Sequence, residues 1–321
     1  MKTPKILLRI VVLALAITGL SQSVFAADGY ANVGGTTTGG SGTPVVCTTL
    51  AQLTAAASDD VSRVVHISGT INLGSSNYRV GSNKTILGLG ANSGFSGNLI
   101  CRFEKNIVLQ NLNFTNPNSV GDGDGLTLYG STNVWVTHCT FRQCGDGSLD
   151  ITHGADNITV SWCKFLYTSN TGHNFVNLIG HSDNNAAEDT GKLHVTFHHN
   201  WWTTLCVERM PRMRFGRVHS YNNYFNCAGN MYCVRASIQS EIRSQNNSFE
   251  GINRPYEKFA SSSSTGSQVG KINASGDLMV NCTNVTAFSD SVFTPPYSYA
   301  LATASSVKAA VTSASTGAGA H

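Results

Sequence analysis

Hydrophobic and polar positions along this chain repeat as one short element, in which apolar and polar residues alternate and an aromatic residue closes the run. The six copies are IVLQNLNF (107–114), VWVTHCTF (134–141), ITVSWCKF (158–165), HVTFHHNWW (194–202), RVHSYNNYF (217–225) and EIRSQNNSF (241–249). Their closing aromatic residues stand 27, 24, 37, 23 and 24 positions apart. The alternation predicts a β-strand in each copy, and the period predicts a stacked repeat.

The repeat units lack both a clear amphipathic helix and the Leu-x-x-Leu-x-Leu frame of a leucine-rich repeat. We therefore expect an all-β, single-stranded parallel β-helix, whose equivalent positions stack about 4.8 Å apart along the axis. The interval of 37 residues before Trp202 is longer than one coil needs, and we interpret residues 184–191 within it as a surface loop. Long loops on one side of a β-helix are expected to form a cleft.

Stacking predicts two internal columns. The closing aromatic residues should form one of them, and the positions two residues earlier should form the other. The second column reads Leu112, Cys139, Cys163, Asn200, Asn223 and Asn247. Its three asparagines predict an amide ladder that satisfies buried polar groups along the axis. The Ala-rich tail, residues 300–314, predicts a helix that covers an open end of the β-helix.

The first 26 residues have the pattern of a secretory signal peptide, with a basic start, an apolar run and a small residue, Ala26, at the cleavage site. A membrane anchor is disfavoured because the run falls short of the ~20 apolar residues that a span needs. We expect one β-helix domain over residues 27–321 and an extracellular location. The full chain has 21 basic and 18 acidic residues, and loss of Lys2, Lys5 and Arg9 leaves 18 of each. This neutral balance does not favour nucleic acid or a membrane surface as a partner.

Nine cysteines in an exported chain permit disulfide bonds. The odd number leaves at least one thiol unpaired or paired between chains. Cys227 and Cys233 are close enough in sequence for a local bridge, whereas Cys139 and Cys163 are expected to stack as free thiols or as a bridge. The sequence also contains no HExxH motif or CxxC pair that would indicate zinc.

Three arginines, Arg209, Arg212 and Arg214, lie between two copies of the repeat, in the segment RMPRMR. Each guanidinium carries five donors in a rigid fork and stays charged. An isolated arginine is more often part of a surface salt bridge. A cluster of three with Pro211 between two coils instead indicates a site for carboxylate, phosphate or sulfate.

Two acidic pairs precede neighbouring repeats: Asp122 with Asp124, and Asp146 with Asp150. Because they begin strands of successive coils, their carboxylates should converge on one face. Such oxygen-rich clusters suit Ca²⁺, which takes 6–8 oxygen ligands. Turn formation by Asp-Gly pairs is the alternative explanation.

These motifs resemble the family 1 polysaccharide lyases, whose best-known members are pectate lyases. The segments that carry the resemblance are SNKTILGLG (82–90), VWVTH (134–138), VTFHHN (195–200) and RMPRMR (209–214), together with the Gly-Tyr-Ala start at 29–31. They occur in the family's order and cover nearly all of the mature chain. The resemblance implies a right-handed parallel β-helix.

The resemblance also implies roles for individual residues. The four aspartates match the family's calcium ligands, Arg209 matches the base that takes the C5 proton of galacturonate, and Arg214 matches a binder of the substrate carboxylate. Arg212 has no family role and is either structural or substrate-facing. A substrate-binding lysine of the family is missing here, and His173 or Asn174 stands near its place.

The leading hypothesis is a secreted, monomeric, calcium-dependent pectate lyase that cleaves α-1,4-polygalacturonate by β-elimination to 4,5-unsaturated oligogalacturonates. One alternative is a pectin lyase acting on methyl-esterified substrate, against which the aspartates argue. Another is a non-catalytic polysaccharide-binding β-helix, against which Arg209 argues. A glycoside hydrolase would use a pair of carboxyl groups and leave the arginines unexplained.

Overall fold

The computed structural model describes residues 26–260 and 269–321, and within them the strands form three parallel sheets. The chain passes from the first sheet to the second, then to the third, and back to the first, so each circuit adds one coil. This is a right-handed parallel β-helix, and the predicted fold is confirmed. The predicted signal peptide, apart from Ala26, lies outside the described residues.

The first sheet has ten strands: Val45–Cys47, Arg63–Ile67, Lys84–Gly88, Lys105–Gln110, Thr132–Thr137, Asp156–Ser161, His194–His198, Arg217–Tyr221, Glu241–Gln245 and Lys271–Ser275. The second has nine: Thr70–Asn72, Gly94–Ser96, Asn113–Asn116, Thr140–Cys144, Lys164–Leu166, Trp201–Trp202, Tyr224–Phe225, Ser248–Glu250 and Leu278–Val280. The third has eight: Tyr78–Arg79, Leu99–Arg102, Leu126–Tyr129, Leu149–Thr152, Leu178–Ile179, Arg212–Met213, Val234–Ala236 and Tyr256–Lys258.

Four short helices accompany the sheets. They are a 3₁₀ helix at Gly29–Asn32, α1 at Leu50–Ala57, α2 at Ala186–Asp189 and α3 at Ala304–Val311. The 3₁₀ helix lies on the outside of the first sheet, where Tyr30 and Ala31 are buried. None of the helices in the described part of the chain is long and apolar enough to cross a membrane.

A tight corner joins the first sheet to the second. Its first residue has a positive φ between 50° and 56° in six coils, at Asn111, His138, Trp162, His199, Asn222 and Asn246. This left-handed conformation is uncommon outside glycine and is most easily adopted by Asn. The corner turns the strand direction within two residues, which is why the repeat motif spans two sheets without a loop.

The predicted aromatic column is confirmed. Ring centroids of Phe114, Phe141 and Phe165 follow one another at 4.7 and 5.0 Å. The stack continues through Trp202 to Phe225 at 4.6 Å and on to Phe249 at 4.4 Å, and all of these side chains are fully buried. Stacked rings of this kind add to the apolar burial that stabilises the coil interior.

The predicted asparagine ladder is also confirmed. Asn200 Nδ2 donates to Asn223 Oδ1 at 3.0 Å, and Asn223 Nδ2 donates to Asn247 Oδ1 at 3.0 Å. Asp277 extends the ladder, because its Oδ1 accepts the backbone N–H of Asn247 at 2.7 Å. Burial raises the pKa of this aspartate to about 6, against the opposing effect of a hydrogen bond from Tyr256.

All nine cysteines are free thiols, and eight are buried. Cys139 and Cys163 therefore occupy their column as stacked thiols, which decides between the two alternatives left open by the sequence. No bridge joins Cys227 to Cys233 either. In this fold the cysteines pack as small apolar residues.

The prediction for the C-terminal tail is correct about the helix and wrong about its place. Helix α3 lies against the side of the second sheet, where Val307 and Val311 pack on Tyr224. One end of the core is instead covered by α1, whose Leu53 and Ala57 are fully buried. A capping box formed by Thr49 and Gln52 begins α1.

Candidate active site

The residues expected to be functional lie on the outer face of the third sheet and in the loops next to its strands. Parallel register places equivalent residues of successive coils in one column across this face. That column runs Ile100, Thr127, Asp150, Leu178, Arg212, Arg235 and Glu257. The sheet thus presents an acidic side chain and basic side chains on the same surface.

Asp124 and Asp150 form the buried part of the acidic end, with exposed fractions of 3% and 8%. Asp124 Oδ2 accepts the Thr127 hydroxyl at 2.7 Å, and its Oδ1 accepts the Gly147 N–H at 2.9 Å. Asp150 Oδ1 accepts the Leu178 N–H at 3.1 Å. A Cβ at Gly147 would lie 2.4 Å from Asp150 Oδ1 and 2.8 Å from Asp124 Oδ1, so a glycine is required between the two carboxylates.

Burial makes ionisation of both carboxyl groups unfavourable. It raises the pKa of Asp150 to about 7, although the Leu178 N–H and Arg209 act in the opposite direction. Burial, followed by the charge of Asp150, raises the pKa of Asp124 well above its usual value. A cation at this position would favour the ionised form of both groups.

Asp122 and Asp146 lie nearer to solvent on the same side. The backbone N–H of Asp146 donates to the carbonyl of Gly123 at 3.0 Å, which brings the two loops together. His173 Nε2 lies 2.5 Å from Asp146 Oδ1 and forms an ion pair when protonated. Within residues 26–260 and 269–321, no three of these carboxylates bring their oxygens within 4.8 Å of one another.

The acidic residues fit a calcium ion by their chemistry. Two carboxylates are already gathered around Gly147, their pKa values are raised by burial, and further oxygen donors stand at the solvent side. Hard oxygen ligands of this kind are the ones Ca²⁺ prefers. The two loops would have to move closer for all four aspartates to act together.

Arg209 lies beside this acidic group in a strained backbone conformation, with φ of +63°. Non-glycine residues at such a φ cost on the order of 1 kcal/mol and concentrate at functional sites. Its guanidinium carbon lies 4.5 Å from the centre of the Phe175 ring, and its Nε lies 3.6 Å from Glu208. Nε is buried and lacks a hydrogen-bond partner among the described residues, so this donor is unsatisfied.

Arg212 and Arg214 differ in their surroundings. Arg214 is buried, and it donates to Asp183 at 2.5 Å and to the carbonyl of Gly180 at 2.7 Å. Arg212 Nε is buried without a hydrogen-bond partner in the described part of the chain. Burial, and then the charge of Arg214, lowers the pKa of Arg212. Arg212 thus has a donor, Nε, without a hydrogen bond, whereas Arg214 anchors the loop that carries Asp183.

His173 and Asn174 also differ. The amide of Asn174 accepts from Thr171 and donates to the carbonyls of Ser169 and Leu205, so it is fully engaged in shaping its loop. His173 contacts Asp146 and packs against Phe175 at 3.8 Å between ring centroids. Of the two residues considered for the place of the missing lysine, only His173 contacts an expected metal ligand.

Sequence reasoning missed Phe175, Glu208 and Gly147. The ring of Phe175 lies between His173 and Arg209, because a parallel bridge pairs Phe175 with Glu208, the residue before Arg209. No local motif marks this phenylalanine. Gly147 had a usable signal, since it stands between two aspartates of one short loop.

A right-handed parallel β-helix with acidic and arginine side chains along one outer face is the arrangement of a polysaccharide lyase. A family model described as "Pectate lyase" matches residues 5–321. "Probable pectate lyase A" of Neosartorya fischeri is 36% identical over 295 residues, covering 89% of this chain and 86% of the relative. Pectate lyase plyB of Emericella nidulans is 37% identical over 240 residues, covering 73% of this chain and 71% of the relative. The chain therefore belongs to the pectate lyase family.

Solved structures agree with this assignment. A pectate lyase from Bacillus sp. N165 in complex with trigalacturonate is 27% identical, with a TM-score of 0.72 over 88% of this chain and 96% of that one. A thermostable pectate lyase has a TM-score of 0.74 at 22% identity, covering 92% of this chain and 97% of that one, and supports the fold.

Proposed function

We propose that this polysaccharide lyase is a secreted, calcium-dependent pectate lyase that cleaves α-1,4-polygalacturonate by β-elimination, leaving 4,5-unsaturated oligogalacturonates. The observation that carries the proposal is the placement of Asp124 and Asp150 beside Arg209 and Arg212 on one outer face. A chain of uronates offers a row of carboxylates that both kinds of side chain can hold, the arginines directly and the aspartates through a cation.

In this proposal Arg209 takes the C5 proton of a galacturonate. The C5–H electrons form the C4–C5 double bond, the bond from C4 to the glycosidic oxygen breaks, and the departing oxygen takes a proton from water to leave as a hydroxyl group. Arg212 and His173 face the substrate carboxylates, and Arg214 supports this surface through Asp183. Asp122, Asp124, Asp146 and Asp150 would hold Ca²⁺, which would stabilise the charge that develops on the uronate carboxylate.

Phe175 positions the base. Its ring packs against the guanidinium of Arg209, whose Nε lies 3.6 Å from Glu208 and makes no hydrogen bond among the described residues. The carbonyl of Arg209 accepts the Asn177 N–H at 2.6 Å, which fixes the backbone from which the side chain extends. Pre-positioning of this kind lowers the entropic cost of reaching the reactive geometry.

We also propose export with cleavage after Ala26. Ala27, Tyr30 and Ala31 are buried against the first sheet, so cleavage there would leave the folded unit complete. N-terminal sequencing of protein recovered from culture medium tests this step, and a chain that starts elsewhere would contradict it.

The enzymatic proposal is tested by incubating the protein with polygalacturonate in calcium or in a chelator. Ultraviolet absorbance from unsaturated ends should rise with calcium and stop with the chelator. Equal activity on methyl-esterified pectin in the chelator would show a pectin lyase. Absence of unsaturated product on both substrates would contradict the proposal.

A further inference from the structure

Three side chains of the types that bind metals meet at the C-terminal ends of strands of the third sheet. The loops that carry Asp122 and Asp146 lie at the other ends of these strands. They are His153, His181 and Glu188, and one ligand atom from each lies within 4.8 Å of the others. His153 follows the strand Leu149–Thr152, His181 follows Leu178–Ile179 after one glycine, and Glu188 belongs to α2. This is the one such group of three or more in the described parts of the chain.

The contacts among these side chains show which atoms converge. His153 Nδ1 lies 3.1 Å from both carboxylate oxygens of Glu188. Asn185 Nδ2 lies 2.6 Å from Glu188 Oε2 and 3.4 Å from His181 Nδ1. His153 Nδ1 therefore faces the carboxylate, and the Asn185 amide lies between the carboxylate and His181 Nδ1.

The backbone holds the three residues in place. Asp189, next to Glu188, is fully buried, and its Oδ1 accepts the N–H of Gly154 at 2.8 Å. A Cβ at Gly154 would lie 3.0 Å from the Glu188 carbonyl, so α2 packs closely on the turn that carries His153. The His153 ring stacks between Tyr129 and His181, with ring centroids 3.8 Å away on each side. The two imidazole rings would have to turn out of this stack to direct one nitrogen each at a common ion. The site is thus built from a tethered helix and the ends of two strands.

We propose that His153, His181 and Glu188 bind one divalent transition-metal ion of the zinc type. Two imidazole nitrogens and one carboxylate form a donor set that suits Zn²⁺ and differs from the all-oxygen set expected for Ca²⁺. The ion would lie among His153, His181 and Glu188 and would take the place of their present hydrogen bonds with one another and with the Asn185 amide. A water molecule, or the Asn185 amide oxygen after rotation, completes four ligands.

The surroundings are compatible with the charge of such an ion. The Glu188 carboxylate faces His153, the Asp189 carboxylate accepts the Gly154 N–H beside it, and Arg214 is already paired with Asp183. The bound ion would tie the long insert to the third sheet. The proposal does not depend on the reaction assigned above.

The test is calorimetric titration of the full-length mature protein with Zn²⁺, in a buffer with excess calcium. We expect one zinc ion per chain in the unmodified protein. Glu188→Gln, which alters an exposed side chain, and His181→Ala should each weaken zinc binding by at least about tenfold. His66→Ala serves as the matched control, because His66 lies on the first sheet in an early coil, and should leave zinc binding unchanged.

Two outcomes would overturn the proposal. One is an unmodified protein that takes up no zinc under these conditions. The other is zinc binding that survives both Glu188→Gln and His181→Ala but is lost in Asp150→Asn, which would place the ion among the aspartates. Near-ultraviolet circular dichroism without zinc confirms that each variant is folded, and Glu188→Gln alone decides the question where His181→Ala fails to fold.

Discussion

The interior ladder and the outer face of the third sheet differ in how far their buried polar groups are hydrogen-bonded. In the ladder, Asn223 donates to Asn247 and accepts from Asn200, so each amide is paired within the stack. On the outer face, Arg209 Nε makes no hydrogen bond among the described residues, and burial raises the pKa of Asp150 to about 7. Satisfied buried groups specify the coil, whereas unsatisfied ones are available for a ligand.

The largest expected effect concerns the outer face. Arg209→Ala removes the proposed base and should lower kcat on polygalacturonate by about 10³-fold or more, in the range that general acid–base catalysis contributes. The melting temperature should fall by only a few degrees, because the Arg209 side chain contributes one long contact with Glu208 and one cation–π contact with Phe175.

Arg142→Ala is the matched control for this prediction. Arg142 is an exposed arginine on the second sheet, and its removal should leave kcat unchanged. Retained turnover in Arg209→Ala would rule out this residue as the base, and parallel loss in Arg142→Ala would point to a general charge effect.

The second prediction concerns the interior, where a substitution removes one asparagine of the ladder. Asn223→Ala removes the acceptor of two Asn200 donors and the donor to the carbonyl of Phe197. We expect the free energy of unfolding to fall by about 3 kcal/mol, since each unsatisfied buried group costs about 1–3 kcal/mol. Activity per folded molecule should persist.

Chemical denaturation measures the effect on stability. Asn118→Ala, on an exposed loop, is the control and should change the free energy of unfolding by less than about 0.5 kcal/mol. Equal stability of Asn223→Ala and Asn118→Ala would show that the ladder contributes little.

The interior could be predicted from the sequence because residues that are one repeat apart contact each other when the coils stack. A closing aromatic every coil and an asparagine two positions earlier were sufficient to place Phe225 on Trp202 and Asn223 on Asn247. The position of α3 could not be predicted in this way. Its apolar residues, Val307 and Val311, indicate a buried face but carry no information about which surface they cover.

The site was less accessible to prediction. Asp124, Asp150 and Arg209 belong to motifs, and the structure brings them to one face. The loop that carries Phe175 falls in the one long interval between repeats, where no period gives a register. His153, His181 and Glu188 were missed for a different reason: their sequence spacing matches no metal motif, although the fold brings them together.

The third prediction tests whether the Phe175 ring positions Arg209. Phe175→Leu keeps an apolar side chain but loses the face of the ring under the guanidinium. We expect kcat to fall by about tenfold, from about 1 kcal/mol of lost cation–π interaction and looser placement. KM should change little, and Phe175→Tyr, which keeps the ring, should restore most of kcat. Loss of activity with Phe175→Tyr equal to that with Phe175→Leu would contradict a role for the ring face.

The smallest expected effect is a pH dependence that separates the two regions. Burial raises the folded-state pKa of Asp150 to about 7 and that of Asp277 to about 6, both above the ordinary value of 3.8. A carboxyl group whose pKa is raised on folding holds its proton more tightly in the folded state. Stability is therefore highest below the unfolded pKa and decreases as pH rises from about 4 toward 7.

Calcium should distinguish the two aspartates. In a chelator the melting temperature should fall by a few degrees over this pH window, and Asp150→Asn and Asp277→Asn should each reduce the fall. Calcium should make the fall in melting temperature smaller only in proteins that retain Asp150. Asp277 should not respond to calcium, because it is hydrogen-bonded to Tyr256 and Asn247 within the ladder, away from the outer face. Calcium at pH 8 should therefore raise the melting temperature of Asp150→Asn less than that of the unmodified chain. An equal rise would mean that the ion binds elsewhere. The buried aspartates of the outer face would then not differ from the interior ladder in being available to a ligand.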